Sequence, residues 1–327
     1  MKNFLVILLL LTLILTLATG CAEISPPAEA TEPLVVTIAG LKGPTSMGMV
    51  QMIDQNLPVL KGYQPQYTAY GAPDELTGKI ISQEIDIAAV PTNLASVLYH
   101  KTQGKVKLLG INTLGVIHLI GSEPLESLED LSGKTLYISG KGATPDYAMH
   151  YLLESLGLDD EITLEFFPDH PSLAQAVIAK DAAYAVLPEP FVTQVLAASP
   201  EVELLVDLNT LWEEVTEGES LLSMGGVIVN TRFAEDHPEF VQAFVADYVD
   251  SVNFVNSNPL EAGALISAHG ILPDPDLAAL AIPNSAIVFE DAYGHRDAIH
   301  NFLNILYESN PSAVGGKLPD ENFYYKP

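Results

Sequence analysis

"SGKGATPDYAM", residues 139–149, is the end of an apolar run that turns through Lys-Gly-Ala-Thr into the start of a helix. Residues 41–50, "LKGPTSMGMV", write the same corner earlier with Lys-Gly-Pro-Thr. A second corner follows each one at a matched interval. From Gly43 to Pro91 in "AAVPTNLASVL" is 48 positions, and from Gly142 to Pro188 in "YAVLPEPFVTQVL" is 46. No short solenoid-like period is present, so the chain reads as two similar units.

Working outward, strand-like runs alternate with helical ones: "LVVTIAG" (34–40) with "SMGMVQMIDQ" (46–55), "YQPQYTAYG" with "PDELTGKIISQE", and "IDIAAV" with "TNLASVLYHK". After "KVKLLGINTLGVIHLIG" (105–121) the scheme restarts and runs through "EITLEFF", "PSLAQAVIAK" and "AAYAVL". Such alternation predicts an α/β body with mostly parallel sheets flanked by helices. The helix at 145–156 is well marked: Thr144 is placed to cap it, Pro145 suits its first position and Gly157 its stop. Its apolar residues Ala148, Tyr151, Leu152 and Leu156 fall on one face. Beyond the strand "GGVIVN" (225–230) the chain turns largely helical, and Phe240, Phe244, Val245, Tyr248, Val252 and Val255 form a stripe at helical spacing, expected to be core.

The first residues read as an address. An apolar run from Phe4 to Ala18 follows Lys2, which suits a signal-peptide core and is short for a membrane span. Cys21, the only cysteine, follows Ala18-Thr19-Gly20, so no intramolecular disulfide can form. Residues 21–32, rich in Pro, Ala and Glu after the cysteine, read as a flexible tether. The remainder is long enough for two domains. With 42 acidic side chains against 14 basic ones, formal net charge −28, the surface repels nucleic acid and anionic lipid.

Corners of this kind surround the crevice where α/β sheets hold ligands. Helix starts carry unpaired N–H groups and positive potential, glycine lets the backbone approach a guest, and hydroxyls cap or donate. Two units facing each other with their corners would grip a small molecule between them.

"KGPTSMGMV", "DIAAVPTNLASVLYHKT", "INTLGV", "DLSGKTLYISGKGATPDYAMHYLLESLGL" and "AVLPEPFVT" together resemble the substrate-binding lipoproteins of ABC importers, of the nitrate/sulfonate/taurine type. The segment before Cys21 resembles a lipobox, with Ala18 where Leu is usual, and the resemblance implies lipidation at Cys21 after a signal peptide of residues 1–20. It implies the two-lobed fold of periplasmic binding proteins (type II), with lobe one formed by 33–112 plus 226–327 and lobe two by 113–225. The crossovers fall near 110–115 and 222–227. Ligand contacts then map onto Gly43, Thr45, Ser46, Thr92, Asn93, Gly142, Thr144 and Glu189.

Each candidate also has an ordinary structural reading. Thr45, Ser46, Thr92, Asn93 and Thr144 suit helix starts, and Glu189 either complements its own helix or pairs with an amine or N–H of the ligand. Thr92→Ala and Glu189→Gln are expected to alter affinity with little change in unliganded melting. Tyr70 is expected to pack, and Lys42 and Lys141 to be solvated loop charges. The only arginines, Arg232 and Arg296, lie outside the second lobe, so a bidentate guanidinium clamp from that lobe is excluded. A small heterocycle or zwitterion is therefore as good a ligand as an anion such as nitrate or a sulfonate.

Enzyme motifs are absent: "GPTSMG" has Pro44 where a nucleophile elbow needs glycine, "GKGATPD" is no Walker loop, and His295 and His300 are mis-spaced for a metal pair. No cofactor or metal is expected. The reading is a monomeric extracytoplasmic protein held to the membrane by its lipid, delivering a solute to an ABC permease and its ATPase, with no nucleic-acid partner. The alternatives are a ligand-sensing receptor module or, on the same fold, an enzyme resembling the pyrimidine-precursor synthases, whose cysteine cluster this chain lacks.

Overall fold

The computed structural model describes residues 32–71, 73–125 and 127–327. The expected signal peptide, Cys21 and nearly all of the tether lie outside them.

Two mixed sheets form the body. The first has six strands in the order β11-β4-β10-β3-β1-β2, and the second has five in the order β7-β6-β8-β5-β9. The first draws on β1 (Leu34–Leu41), β2 (Tyr63–Tyr70), β3 (Ile87–Pro91), β4 (Val106–Thr113), β10 (Gly225–Asn230) and β11 (Ile287–Asp291). The second contains β5 (Ile117–Gly121), β6 (Thr135–Ser139), β7 (Thr163–Phe167), β8 (Tyr184–Pro188) and β9 (Glu203–Asp207). In the first, β1 runs parallel to β2 and β3, and β10 lies antiparallel between β3 and β4. In the second, β6 runs parallel to β7 and β8, and β5 lies antiparallel between β8 and β9. The pattern 2-1-3-10-4 is thus repeated as 7-6-8-5-9, which places the two echoed corners, after β1 and after β6, at equivalent positions. The architecture is the two-lobed α/β fold expected of a periplasmic-binding-protein-like chain.

Buried β-branched and alanine-rich strands such as "IAAVP" make both sheets read as continuous apolar runs, because helices cover them. The stripe of the helix Pro238–Ser257 is core as expected: Phe240, Phe244, Tyr248, Val252 and Val255 are buried, with Val245 packed at the margin. Burying one such side chain contributes about 1.5–3 kcal/mol. The helix Thr144–Leu156 ends at Gly157, whose φ of 71° is the left-handed stop that glycine adopts without strain. Its start differs from the sequence reading. Ala143 is the cap residue and Thr144 already helical, with no side-chain cap bond, while the Asp146 carboxylate accepts the Gly142 N–H at 2.8 Å instead. The helix expected over 46–55 is split into Pro44–Met47 and Val50–Gln55, and the left-handed Asn56 ends the second piece.

The chain passes between the sheets twice, through 114–116 after β4 and through 216–224 before β10. These crossings touch. A Cβ on Gly115 would stand 2.7 Å from Leu222 Cδ2 and 2.8 Å from Asn209 Cβ, so only glycine fits there. Asn209 also accepts the Gly115 N–H at 3.1 Å, and Met224 N–H donates to Thr113 O at 2.9 Å. A further seam joins the sheets' helices. Trp212, in the helix Leu208–Val215, packs against Tyr151 and against Phe302 of the helix Arg296–Ser309. Asn310 donates to the Tyr147 hydroxyl across the same seam at 2.8 Å.

Candidate functional site

A cavity of about 400 Å³ opens where the corners of both sheets meet. The first sheet contributes Leu41 to Thr45 after β1, Pro91 at the end of β3 and Thr113 at the end of β4. The second contributes His170 after β7 and Pro188 to Phe191 after β8, while Val116, Met224 and Leu272 close the remaining wall. Nine of these fifteen residues are Leu, Pro, Val, Phe or Met, so the wall is chiefly carbon with a few placed polar groups, as small-molecule sites are.

The corner at Gly43 is shaped by backbone. Its φ of 114° is one that side-chain-bearing residues rarely adopt, which lets the chain leave β1 and start the Pro44–Met47 turn beside the cavity. Asn112, buried at the end of β4, holds this corner in place. Its Nδ2 donates to Thr45 O at 2.7 Å and to the Tyr248 hydroxyl at 3.0 Å, and its Oδ1 accepts from Thr113 Oγ1 at 3.2 Å. Because a carbonyl only accepts, the contact with Thr45 O fixes which way the amide faces. Gly225 of β10 packs over the same hub, since a Cβ there would meet Asn112 Oδ1 at 2.5 Å and the Thr45 methyl at 2.7 Å.

Of the residues marked in the sequence, Gly43, Thr45 and Glu189 line the cavity together. Ser46 lies behind the wall, buried, with no hydrogen-bond partner for its hydroxyl among the described residues. Thr92 is fully buried, its hydroxyl 2.7 Å from Ser223 Oγ and its N–H donating to Met224 O, so it ties the β3 corner to a crossing segment. Asn93 points to the C-terminal region and donates to Ala313 O at 3.3 Å. Gly142 and Thr144 stand outside the wall, with the Gly142 N–H occupied by Asp146. Tyr70 packs against the core, as expected. Lys141 lies over the Phe166 ring at 5.0 Å, and Lys42 is an exposed loop charge, as expected, that also borders the cavity.

Glu189 is 2% exposed. Burial pushes its carboxyl above the usual range, against the opposing pull of hydrogen bonds from Thr193 and of His118 and Asn284 nearby. Thr193 N–H donates to one carboxylate oxygen at 3.1 Å and Thr193 Oγ1 to the other at 2.9 Å. The reading in which Glu189 complements its own helix, Phe191–Ala198, is therefore realised, and the same carboxyl borders the cavity. His118, on β5, binds Asn284 O at 3.0 Å and so links the second sheet to the first beside this acid.

His170, Phe191, Thr113, Met224 and Leu272 were not singled out from the sequence. His170 had a signal, since "PDHPS" directly follows β7 as a cap-and-turn stretch. Met224 and Leu272 had none, being ordinary apolar residues carried to the wall by crossing and helical segments. Neither arginine reaches the cavity. Arg232 is exposed and bonds Asp236, and Arg296 donates to Tyr293 O. Among the described residues no three His, Cys, Asp or Glu side chains gather as a metal-holding group, and no helix is long and apolar enough to cross a membrane.

Residues 103–262 match the family described as NMT1/THI5 like. No curated protein matches the chain. Among solved structures, an ABC transporter protein from Parabacteroides distasonis is 27% identical with a TM-score of 0.76, covering 89% of this chain and 99% of its own. The periplasmic aliphatic sulphonate binding protein of Escherichia coli is 14% identical with a TM-score of 0.69, over 90% of this chain and 93% of that one. The periplasmic nitrate-binding protein of Synechocystis is 12% identical, covers 72% and 66%, and has a TM-score of 0.51. The chain is thus similar to the binding proteins of ABC transporters of the nitrate/sulfonate/taurine type, in agreement with the resemblance read from its motifs.

Proposed function

We propose that the chain is a solute-binding protein that captures a small molecule between its two sheets and hands it to an ABC permease. The observation that carries this is the cavity itself: the equivalent corners after β3 and β8, joined by the corner after β1, wall one space between the two repeated sheets, and a buried acid borders it. A guest that touches both sides favours whichever relative placement of the sheets brings its contacts together. The work is binding and movement without covalent chemistry. Lipidation at Cys21 would hold the body at the outer face of a membrane, and a monomer suffices because all of the wall comes from one chain.

The wall narrows the ligand. With no guanidinium present and Lys42 the one Lys or Arg at the wall, a doubly charged anion has little to pair with. An apolar body with one or two polar ends fits better: a small heterocycle, a zwitterion or a singly charged sulfonate. Glu189 offers acceptor oxygens to an amine or N–H of such a guest.

A thermal-shift screen of the body from Glu32 onward, against sulfonates, nitrate, bicarbonate, pyrimidines and flavin-like heterocycles, tests the reading. A ligand at about 100 times its Kd stabilises the folded state by about 2.7 kcal/mol. That corresponds to roughly 4 °C for a chain of this size. Capture predicts such a shift with at least one class, together with loss of the shift in a variant that fills the cavity, Thr45→Trp. A shift that Thr45→Trp leaves intact would place the ligand elsewhere and refute the site.

A further inference from the structure

The second sheet gives the cavity a histidine whose hydrogen-bonding state can be derived from its neighbours. His170 opens the helix His170–Ile178 just after β7. One edge of its ring faces inward: Nδ1 lies 2.6 Å from Ser139 Oγ, and Cε1 lies 3.4 Å from where a Cβ on Gly140 would stand. His170 lines the cavity, and with Nδ1 engaged by Ser139, Nε2 is the ring nitrogen with no hydrogen-bond partner among the described residues. Phe191 packs its ring against the imidazole, centroids 5.6 Å apart, and holds the plane.

Ser139 decides which nitrogen bears the hydrogen. It is fully buried at the end of β6, and among the described residues its hydroxyl pairs with His170 Nδ1. If Nδ1 carried the hydrogen, Ser139 would accept, and its own hydroxyl hydrogen would be buried without an acceptor. Buried polar groups avoid that state. With Ser139 donating, Nδ1 is the acceptor and the ring hydrogen sits on Nε2.

We infer that Ser139 holds His170 as its Nε2–H tautomer, and that His170 is the donor from the second sheet to an oxygen of the captured solute. The inference rests on the capture reading and extends it to ligand class. The guest presents an acceptor oxygen to His170 and an N–H or amine to Glu189. Charged groups near the ring are Asp169 at its own helix start, and Lys42 and Glu189 among the other wall residues. Burial keeps the imidazole below its ordinary value of 6.5, against the opposing pull of Asp169. At pH 7 the ring therefore donates as a neutral tautomer. The acceptor oxygen has two possible sources, a neutral carbonyl or an anionic sulfonate, and the two respond differently to acid. An anion strengthens its hold as falling pH charges the ring, whereas a carbonyl gains no such charge pairing.

The test uses the described body labelled with nitrogen-15 at histidine, with uracil and ethanesulfonate as probes. Histidine nitrogen spectra of the free protein should show His170 with Nε2 protonated, and Ser139→Ala should mix the tautomers. His170→Phe should weaken the probe that binds by about tenfold, and His170→Gln, whose amide still donates, should restore most of it. Affinity that rises from pH 7.5 to pH 5.5 identifies the sulfonate source, and a flat profile the carbonyl. Nδ1 protonated in the wild-type protein overturns the inference whatever binds. Unchanged affinity in His170→Phe overturns it while leaving the capture reading standing. If neither probe binds the wild type, the ligand-class half falls and these two solute classes leave the capture reading, while the spectrum still decides the tautomer.

Discussion

Replacing Asn112 with alanine is the sharpest probe of how the first corner is held. The substitution removes both donors and the acceptor of one buried amide. It strands the Tyr248 hydroxyl, the Thr113 hydroxyl and Thr45 O. Tyr248 is fully buried, and burial already pushes its hydroxyl pKa up, so no solvent replaces the lost bond there. Thr45 O sits beside the cavity, where water can satisfy it. Leaving a buried polar group unpaired costs about 1–3 kcal/mol. With two groups fully stranded, the total should be about 3 kcal/mol. For a chain of this size that is a fall in Tm of roughly 5 °C. Tyr248→Phe alone removes one partner and should cost about 1 kcal/mol. Because the two residues share a bond, the double variant should be less destabilised than the sum, by about 1 kcal/mol. Urea or thermal melts of the four proteins measure this. Asn112→Ala melting within a degree of wild type, or strict additivity in the cycle, would show that the amide does not hold the corner.

Three other outcomes follow from the geometry. Thr92→Ala should lower Tm by a few degrees by leaving Ser223 Oγ without its buried partner, contrary to the small effect expected from sequence; unchanged melting would mean that this bond adds nothing. Gly115→Ala forces a methyl into Leu222 and Asn209 where the crossings touch and should cost about 1–3 kcal/mol in denaturant melts, with no loss if the crossings simply part. Glu189 has its folded pKa raised, so its contribution is present below the unfolded value of 4.5 and is lost as pH rises through the folded value. The stability of wild type relative to Glu189→Gln should thus fall between pH 4.5 and 7.5, and a difference that grows with pH would mean that burial is not the dominant influence on this carboxyl.

The sequence carried the corners, the repeat and the core stripe because each is a local pattern. Gly157 marks a left-handed stop, and Phe240 to Val255 repeat at helical spacing whatever packs against them. The edge strand β11 was missed because "IVFED" gains its strand character only by pairing with β4, far away in the chain. The site was half legible for a similar reason. A corner can be located from Gly43 or Pro91, but successive residues of a helix start point about 100° apart, and only packing decides which one meets the cavity. Thr45 meets it, whereas Thr92 is drawn to Ser223 and Asn93 to Ala313. Thr144 was displaced as cap by a single position, the usual margin for helix ends. His170 reaches the wall from the loop after β7, whose counterpart after β2 contributes no described residue to the wall, so the duplication that exposed the other corners could not expose it.

The chain contains one tryptophan, and the fold has placed it at the joint. Trp212, in the helix Leu208–Val215 after the second sheet's last strand, leans on Tyr151 and on Phe302 of the helix Arg296–Ser309. Any displacement of the helix Arg296–Ser309 against the helix Leu208–Val215 must alter the polarity and quenching around that indole. The proposed capture therefore comes with a built-in optical gauge away from the cavity, readable by ultraviolet emission without attaching a dye.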